Sequence, residues 1–279
     1  MDIDLTGKRA LVCGASKGIG RAAAMELAML GATVTILARN AEALETVRAA
    51  LPTPAKQVHS ILPADFSDPV ALKEILHNAS LRCGGNNENG ENNGNDGTSS
   101  QPFHILVNNS GGPPAGPAHT ATEEQFLAAF NQHLIGNHIM MQAVLPGMKS
   151  EKYGRIINVI STSVKAPIKG LGVSNTIRGA VANWAKTLAG ELGPFGITVN
   201  NILPGATDTD RMAEIIKGKA AKQGKSLEDI TAAELSIIPV GRLGKPEELA
   251  QAIAFLASPA AAYINGVNLP VDGGRTGCL

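Results

Sequence analysis

Cysteine is scarce in this chain: Cys13, Cys83 and Cys278 are odd in number and far apart. Such spacing argues against a disulfide framework and against a cysteine-based metal site, and points to a reducing, cytoplasmic compartment. Net charge is lacking too, because 24 Lys plus Arg cancel 24 Asp plus Glu. No global field is left to draw nucleic acid or an acidic membrane, so a small, specific ligand is the expected partner. Long apolar runs are also missing. Nothing approaches the roughly 18 uninterrupted apolar residues of a membrane helix, and residues 1–8 are too polar for a signal peptide.

What the chain has in quantity is hydrophobic residues, 44% of its 279 positions. That is ample for the core of one domain spanning 1–279, which shows no break in composition. Apolar β-rich runs at 9–13, 32–38, 57–64, 104–109, 155–161, 197–203 and 267–271 alternate with helical patterns at 21–30, 69–82, 123–149, 174–192 and 246–257. The alternation predicts an α/β fold of Rossmann type, a doubly wound parallel sheet with helices on both faces and right-handed crossovers. Residues 83–101 are almost all Gly, Asn, Ser and acidic side chains. They read as a disordered surface insertion, which leaves the sheet intact because lengthening a loop costs little.

Between the first strand and the first helix runs Leu11-Val-Cys-Gly-Ala-Ser-Lys-Gly-Ile-Gly20. Residues without a Cβ let the backbone turn sharply there and let a pyrophosphate approach the helix N-terminus, so Gly14, Gly18 and Gly20 predict a dinucleotide site. The motifs that follow, in their order, resemble the classical short-chain dehydrogenases/reductases over essentially the whole chain outside 83–101, and most of all the 3-oxoacyl carrier-protein reductases. The glycine loop resembles that family's cofactor loop, with Cys13 where threonine is usual. Asp65 matches the acidic residue that holds the adenine, and Asn108-Asn-Ser-Gly111 the Asn-Asn-Ala-Gly motif. Pro204-Gly205 with Thr209 matches the segment beside the nicotinamide, and Val271-Asp-Gly-Gly274 the C-terminal signature. The resemblance implies a cofactor held by Gly14, Ser16, Lys17, Gly18, Ile19, Gly20, Arg39, Asn40, Asp65, Asn109, Ser110, Gly111, Arg178, Pro204, Gly205, Thr207 and Thr209.

The second strand ends in Ala38-Arg39-Asn40. An acidic side chain there would bind the ribose hydroxyls of NAD, whereas Arg39, with Lys17 nearby, suits a 2′-phosphate, so NADP(H) is the expected cofactor.

In the catalytic set the chain departs from the family. Ser161 falls where the family serine belongs, but thirteen residues on, the tyrosine position holds Ser174 and the lysine position Arg178; the asparagine of the preceding helix is His133. Ser174 and Arg178 keep the i, i+4 spacing and share a helical face. A serine hydroxyl cannot replace a tyrosine whose pKa a lysine lowers, and arginine polarises without releasing a proton. His133 is therefore the attractive proton donor, with water held by Ser161, Ser174 and Arg178, or Lys165 and Lys169, as alternatives. Tyr153 and Tyr263 lack the spacing and read as structural.

Residues 206–240 resemble the variable substrate lid, with Met212, Ile215 and Ile216 on its inner face and a solvated lysine run over 217–225. The resemblance implies a ketone or secondary alcohol as substrate and a homotetramer or dimer built on 123–149 and 174–192. A dinucleotide-binding sensor, or a dehydratase or isomerase of the same fold, is the alternative, because fold alone does not fix function.

Overall fold

The computed structural model describes residues 1–78 and 101–278. The apolar runs become seven parallel strands among these residues: β1 (Arg9–Cys13), β2 (Thr33–Ala38), β3 (Ser60–Pro63), β4 (Ile105–Asn108), β5 (Gly154–Val159), β6 (Ile197–Pro204) and β7 (Asn268–Val271). Their order across the sheet is β3-β2-β1-β4-β5-β6-β7. The chain winds outward from β1 to β3, then crosses back to β4 on the other side of β1. A crevice therefore opens at the carboxyl ends of β1 and β4, where such sheets bind their ligands.

Successive strand residues face opposite sides, and both sides are apolar. Ala10, Val12, Val34, Ile36, Ile105 and Val107 pack against α1 (Gly18–Met29), α2 (Ala41–Ala50) and α9 (Pro246–Ala257). Leu11, Leu37, Leu106, Ile156 and Val199 pack against α3 (Pro69–Asn78), α5 (Gly136–Ser150) and α6 (Gly172–Leu192). The helix expected over 123–149 is divided. It comprises α4 (Glu123–Phe130), a π-helical turn at Asn131–Ile135, and α5. The helix expected over 69–82 is described as far as Asn78, and the insertion expected at 83–101 lies outside the described residues except for Gln101. Among the described residues, no helix is long and apolar enough to cross a membrane.

Two histidines complete strand entries. His59 Nδ1 accepts the Val34 N–H at 3.1 Å and His104 Nδ1 accepts the Arg9 N–H at 3.0 Å. Burial, with Lys8 and Arg9 nearby, pushes the His104 imidazole down to about 4.

Across the centre of the sheet, in register, lie Asn108, Asn158, Asn201 and Asn268. Each amide donates to the next: Asn108 Nδ2 to Asn158 Oδ1 at 2.9 Å, Asn158 Nδ2 to Asn201 Oδ1 at 2.9 Å, and Asn201 Nδ2 to Asn268 Oδ1 at 2.8 Å. Asn158→Ala would leave a buried donor and a buried acceptor unpaired. It should cost about 3 kcal/mol, read as a lower urea midpoint; a loss of under about 1 kcal/mol would show that the ladder does not hold the strands together.

Candidate active site

The glycine loop is closed by sterics. Gly14 and Gly18 have φ of +61° and +56°, and a Cβ on Gly20 would lie 2.2 Å from Gly14 O. Asn109, just past β4, donates from Nδ2 to the carbonyls of Cys13 and Gly14 at 3.3 and 3.2 Å, which fixes the loop to the neighbouring strand. Helix α1 begins at Gly18, and the Lys17 side chain does not cap it. Its first N–H groups are thus offered to an anion, and the tight, Cβ-free cradle fits a pyrophosphate. Ser16 lines the turn, and Ile19 packs on the core beneath it.

The two cations expected at one phosphate have separate carboxylate neighbours. Arg39 Nη1 is 3.9 Å from Asp65 Oδ2, at the ends of β2 and β3, and its side chain is 79% exposed. Lys17 Nζ is 3.0 Å from Asp210 Oδ2, in the first turn of α7 (Asp210–Gln223). Asn40 caps α2, its Oδ1 accepting the Ala43 N–H at 2.9 Å. That is a structural task beside the expected cofactor role.

At the other end of the crevice Gly205 passes so close to Asp272 that a Cβ would meet its Cα at 2.6 Å. Thr207 Oγ1 donates to Gly205 O at 3.2 Å, and Thr209 caps α7 through the Met212 N–H. The segment 206–240 folds as α7 and α8 (Leu227–Ser236). Met212 and Ile216 pack with Ala206, Ile238 and Leu243, so the face expected to line a substrate pocket forms the segment's own small core. Arg211 Nη2 donates to Pro113 O at 3.0 Å, tying this segment to the exposed loop that follows Gly111.

The catalytic candidates come from three elements. Ser161, just beyond β5, is half-buried, and its Oγ accepts the Ser163 N–H at 3.1 Å, which leaves its own proton to donate. Arg178 is buried in α6, and its Nη1 donates to Val159 O at 3.1 Å. Burial pushes its guanidinium down to about 10, so it stays charged at neutral pH, and it has no carboxylate partner among the described residues. Ser174, one turn earlier, is half-buried and its side chain makes no hydrogen bond among the described residues. Lys169 is exposed and Lys165 half-buried. Tyr153 Oη donates to Ala257 O at 3.0 Å and Tyr263 is fully exposed, so neither enters the site.

His133 lies in the π-helical turn, 1% exposed. Its Nδ1 is 2.8 Å from Ser110 Oγ, and its Nε2 has no partner among the described residues. Burial first, and Arg178 second, push the imidazole down to about 2. That direction favours the neutral ring, which is a poor source of the acidic proton expected of it. The contact with Ser110 was not foreseen from the sequence, where the two residues are 23 positions apart.

A glycine-cradled crevice at the switch point of a parallel sheet, with a serine and a buried cation at its edge, defines a dinucleotide-binding α/β protein. The short-chain dehydrogenase family model matches residues 8–86, and the model described as enoyl-(acyl carrier protein) reductase matches residues 97–276. The chain is 32% identical over 274 residues to the 3-oxoacyl-[acyl-carrier-protein] reductase FabG of Pseudomonas aeruginosa, with 98% of each covered. It is 29% identical to the NADPH-dependent reductase BacG of Bacillus subtilis, with 97% of this chain and 98% of that one covered. Among solved structures, the L-sorbose reductase of Gluconobacter frateurii complexed with NADPH and L-sorbose matches with a TM-score of 0.86 at 26% identity, both chains covered in full. The chain belongs to the short-chain dehydrogenase/reductase family of oxidoreductases.

His133 and His104 are held neutral in the fold, whereas in the unfolded chain each titrates near 6.5. Depressed folded values contribute stability in full above that pH; it is lost as pH falls toward about 4 for His104 and about 2 for His133. Unfolding free energy should therefore be flat between about pH 7 and 8 and fall below about 6.5, by about 2 kcal/mol from His133 alone at pH 5. Urea melts against pH test this, and His133→Gln should flatten part of the slope.

Proposed function

We propose that the protein is an NADP(H)-dependent oxidoreductase that interconverts a ketone and a secondary alcohol. The observation that carries this reading is Arg178: a buried cation with no carboxylate partner among the described residues, bonded to Val159 O at the end of β5, two residues before Ser161. Such a charge is costly unless something negative comes to it, and a carbonyl oxygen that gathers charge during reduction is such a group.

In this reading Ser16 and the Gly18–Gly20 turn hold the pyrophosphate and Asp65 the adenine, while Arg39 pairs with the 2′-phosphate. Asn109, Gly111, Pro204, Gly205, Thr207 and Thr209 line the nicotinamide side. The dinucleotide supplies or accepts a hydride when bound. The chain's own contribution is electrostatic. Ser161 donates to the substrate oxygen, and Arg178 stabilises charge as it develops there, because donors fixed in place need not reorganise during the reaction. The oxygen then takes its proton from water held by Ser161, Ser174 and Arg178, since arginine keeps its own and His133 is neutral. The cytoplasm, and assembly as a homo-oligomer through the α4, α5 and α6 faces, complete the reading; Leu127 on α4 is 61% exposed.

The alternative, a binding protein or a proton-transfer enzyme without redox turnover, is favoured by one fact: the site lacks the family's tyrosine and lysine. Two measurements separate the readings. In thermal-shift titrations, NADPH at about a hundred times its dissociation constant should stabilise the fold by roughly 2.7 kcal/mol, with NADH doing much less. Arg39→Asp should remove that preference, and an equal response of both proteins to both cofactors would refute the assignment. Across a carbonyl panel, NADPH absorbance should fall. Ser161→Ala and Arg178→Leu should each lose about a hundredfold or more in kcat; binding with no oxidation on any carbonyl would favour the sensor.

A further inference from the structure

Ser110 stands where the family motif has alanine, and His133 where the preceding helix has asparagine. In the fold these two departures meet, Ser110 Oγ lying 2.8 Å from His133 Nδ1. Ser110 is half-buried just beyond β4. It follows Asn109, whose amide clamps the Cys13 and Gly14 carbonyls, so Ser110 lies at the carboxyl end of β4, where the strand order reverses. His133 is sealed behind it, with Nε2 unpartnered.

A neutral imidazole donates from one nitrogen and accepts at the other. A proton on Nε2 would leave a buried N–H with no partner among the described residues, which is unfavourable. With the proton on Nδ1, that N–H donates to Ser110 Oγ and only a lone pair is left at Nε2. The Ser110 hydroxyl, its oxygen already engaged as acceptor, then has its proton free for the crevice.

We propose that His133, as its Nδ1–H tautomer, donates to Ser110 Oγ and so turns the Ser110 proton into the crevice, where it donates to the substrate's carbonyl oxygen. Ser110 is then a catalytic residue and His133 a positioning residue. Ser110 and Ser161 form a two-hydroxyl oxyanion site next to Arg178, and no proton is relayed through the histidine. The substrate half of the proposal rests on the reductase reading above; the tautomer half does not.

The test has two arms on the full chain. Nitrogen-15 NMR of histidine-labelled protein at neutral pH should show His133 neutral with its proton on Nδ1, the signal being assigned by its loss in His133→Gln. A proton on Nε2, or on both nitrogens, overturns the proposal whether or not the protein turns over. In NADPH-dependent carbonyl reduction, Ser110→Ala should lower kcat by about tenfold, the value of one neutral hydrogen bond, with the KM for NADPH unchanged. His133→Leu should cost about as much, the double variant no more than either single one, and His133→Asn, whose amide nitrogen takes the place of Nδ1 and can donate to Ser110, should recover most of the rate. Additive losses, or a Ser110→Ala enzyme at full rate, overturn the proposal. Absence of reduction on every carbonyl defeats the reductase reading and the substrate half with it, while the NMR arm still decides the tautomer.

Discussion

Four asparagines hold the active end of this sheet together. Asn108, Asn158, Asn201 and Asn268 lie side by side on β4 to β7, each amide paired with the next, and the first three are almost fully buried. A parallel ladder of backbone bonds alone tolerates slippage, but a one-residue slip here would put an asparagine opposite an apolar residue and orphan two buried amides. The register is therefore locked, and with it the site. Asn109 and Ser110 follow Asn108, Ser161 lies three residues past Asn158, Gly205 four past Asn201, and Asp272, which presses on Gly205, four past Asn268.

On that fixed platform the proposed site relies on fixed charge. A lysine in the place of Arg178 could shed its proton under burial and help a neighbouring hydroxyl ionise. The arginine cannot, and its charge is anchored by Val159 O with no carboxylate partner among the described residues. The same charge helps keep His133 neutral. In the proposed site, oriented dipoles and one permanent cation would polarise an oxygen, and its proton would come from solvent.

Much of this was legible in the sequence, because it depends on local rules. Continuous apolar runs between helical stretches fixed the strand positions to within a few residues, and Gly14, Gly18 and Gly20 marked the cradle, since only residues without a Cβ pass there. Less legible was whatever depends on two distant segments. The π-helical turn at Asn131–Ile135 interrupts what reads as one continuous amphipathic helix, and it carries His133 to Ser110. Met212 and Ile216 have the spacing of any helix packed on apolar neighbours, and spacing cannot say whether those neighbours are substrate or, as here, Ile238 and Leu243. Charge partners were equally hidden: Lys17 and Asp210 are 193 positions apart.

That last pair bears on how the crevice is framed. The first turn of α7 touches the cofactor loop through Lys17–Asp210, whose side chains are 69% and 70% exposed. An ion pair so exposed is screened by salt and contributes little. The far end of the same segment is held differently. Glu234, buried in α8, pairs with Lys219 of α7 and with Arg275 of the C-terminal tail, while the Val240 N–H donates to Gly273 O at 3.2 Å. Breaking those contacts would strand a buried carboxylate, which is costly. The α7–α8 segment is thus rooted on the tail by a buried carboxylate, whereas its contact with the cofactor loop is an exposed ion pair of little energetic weight.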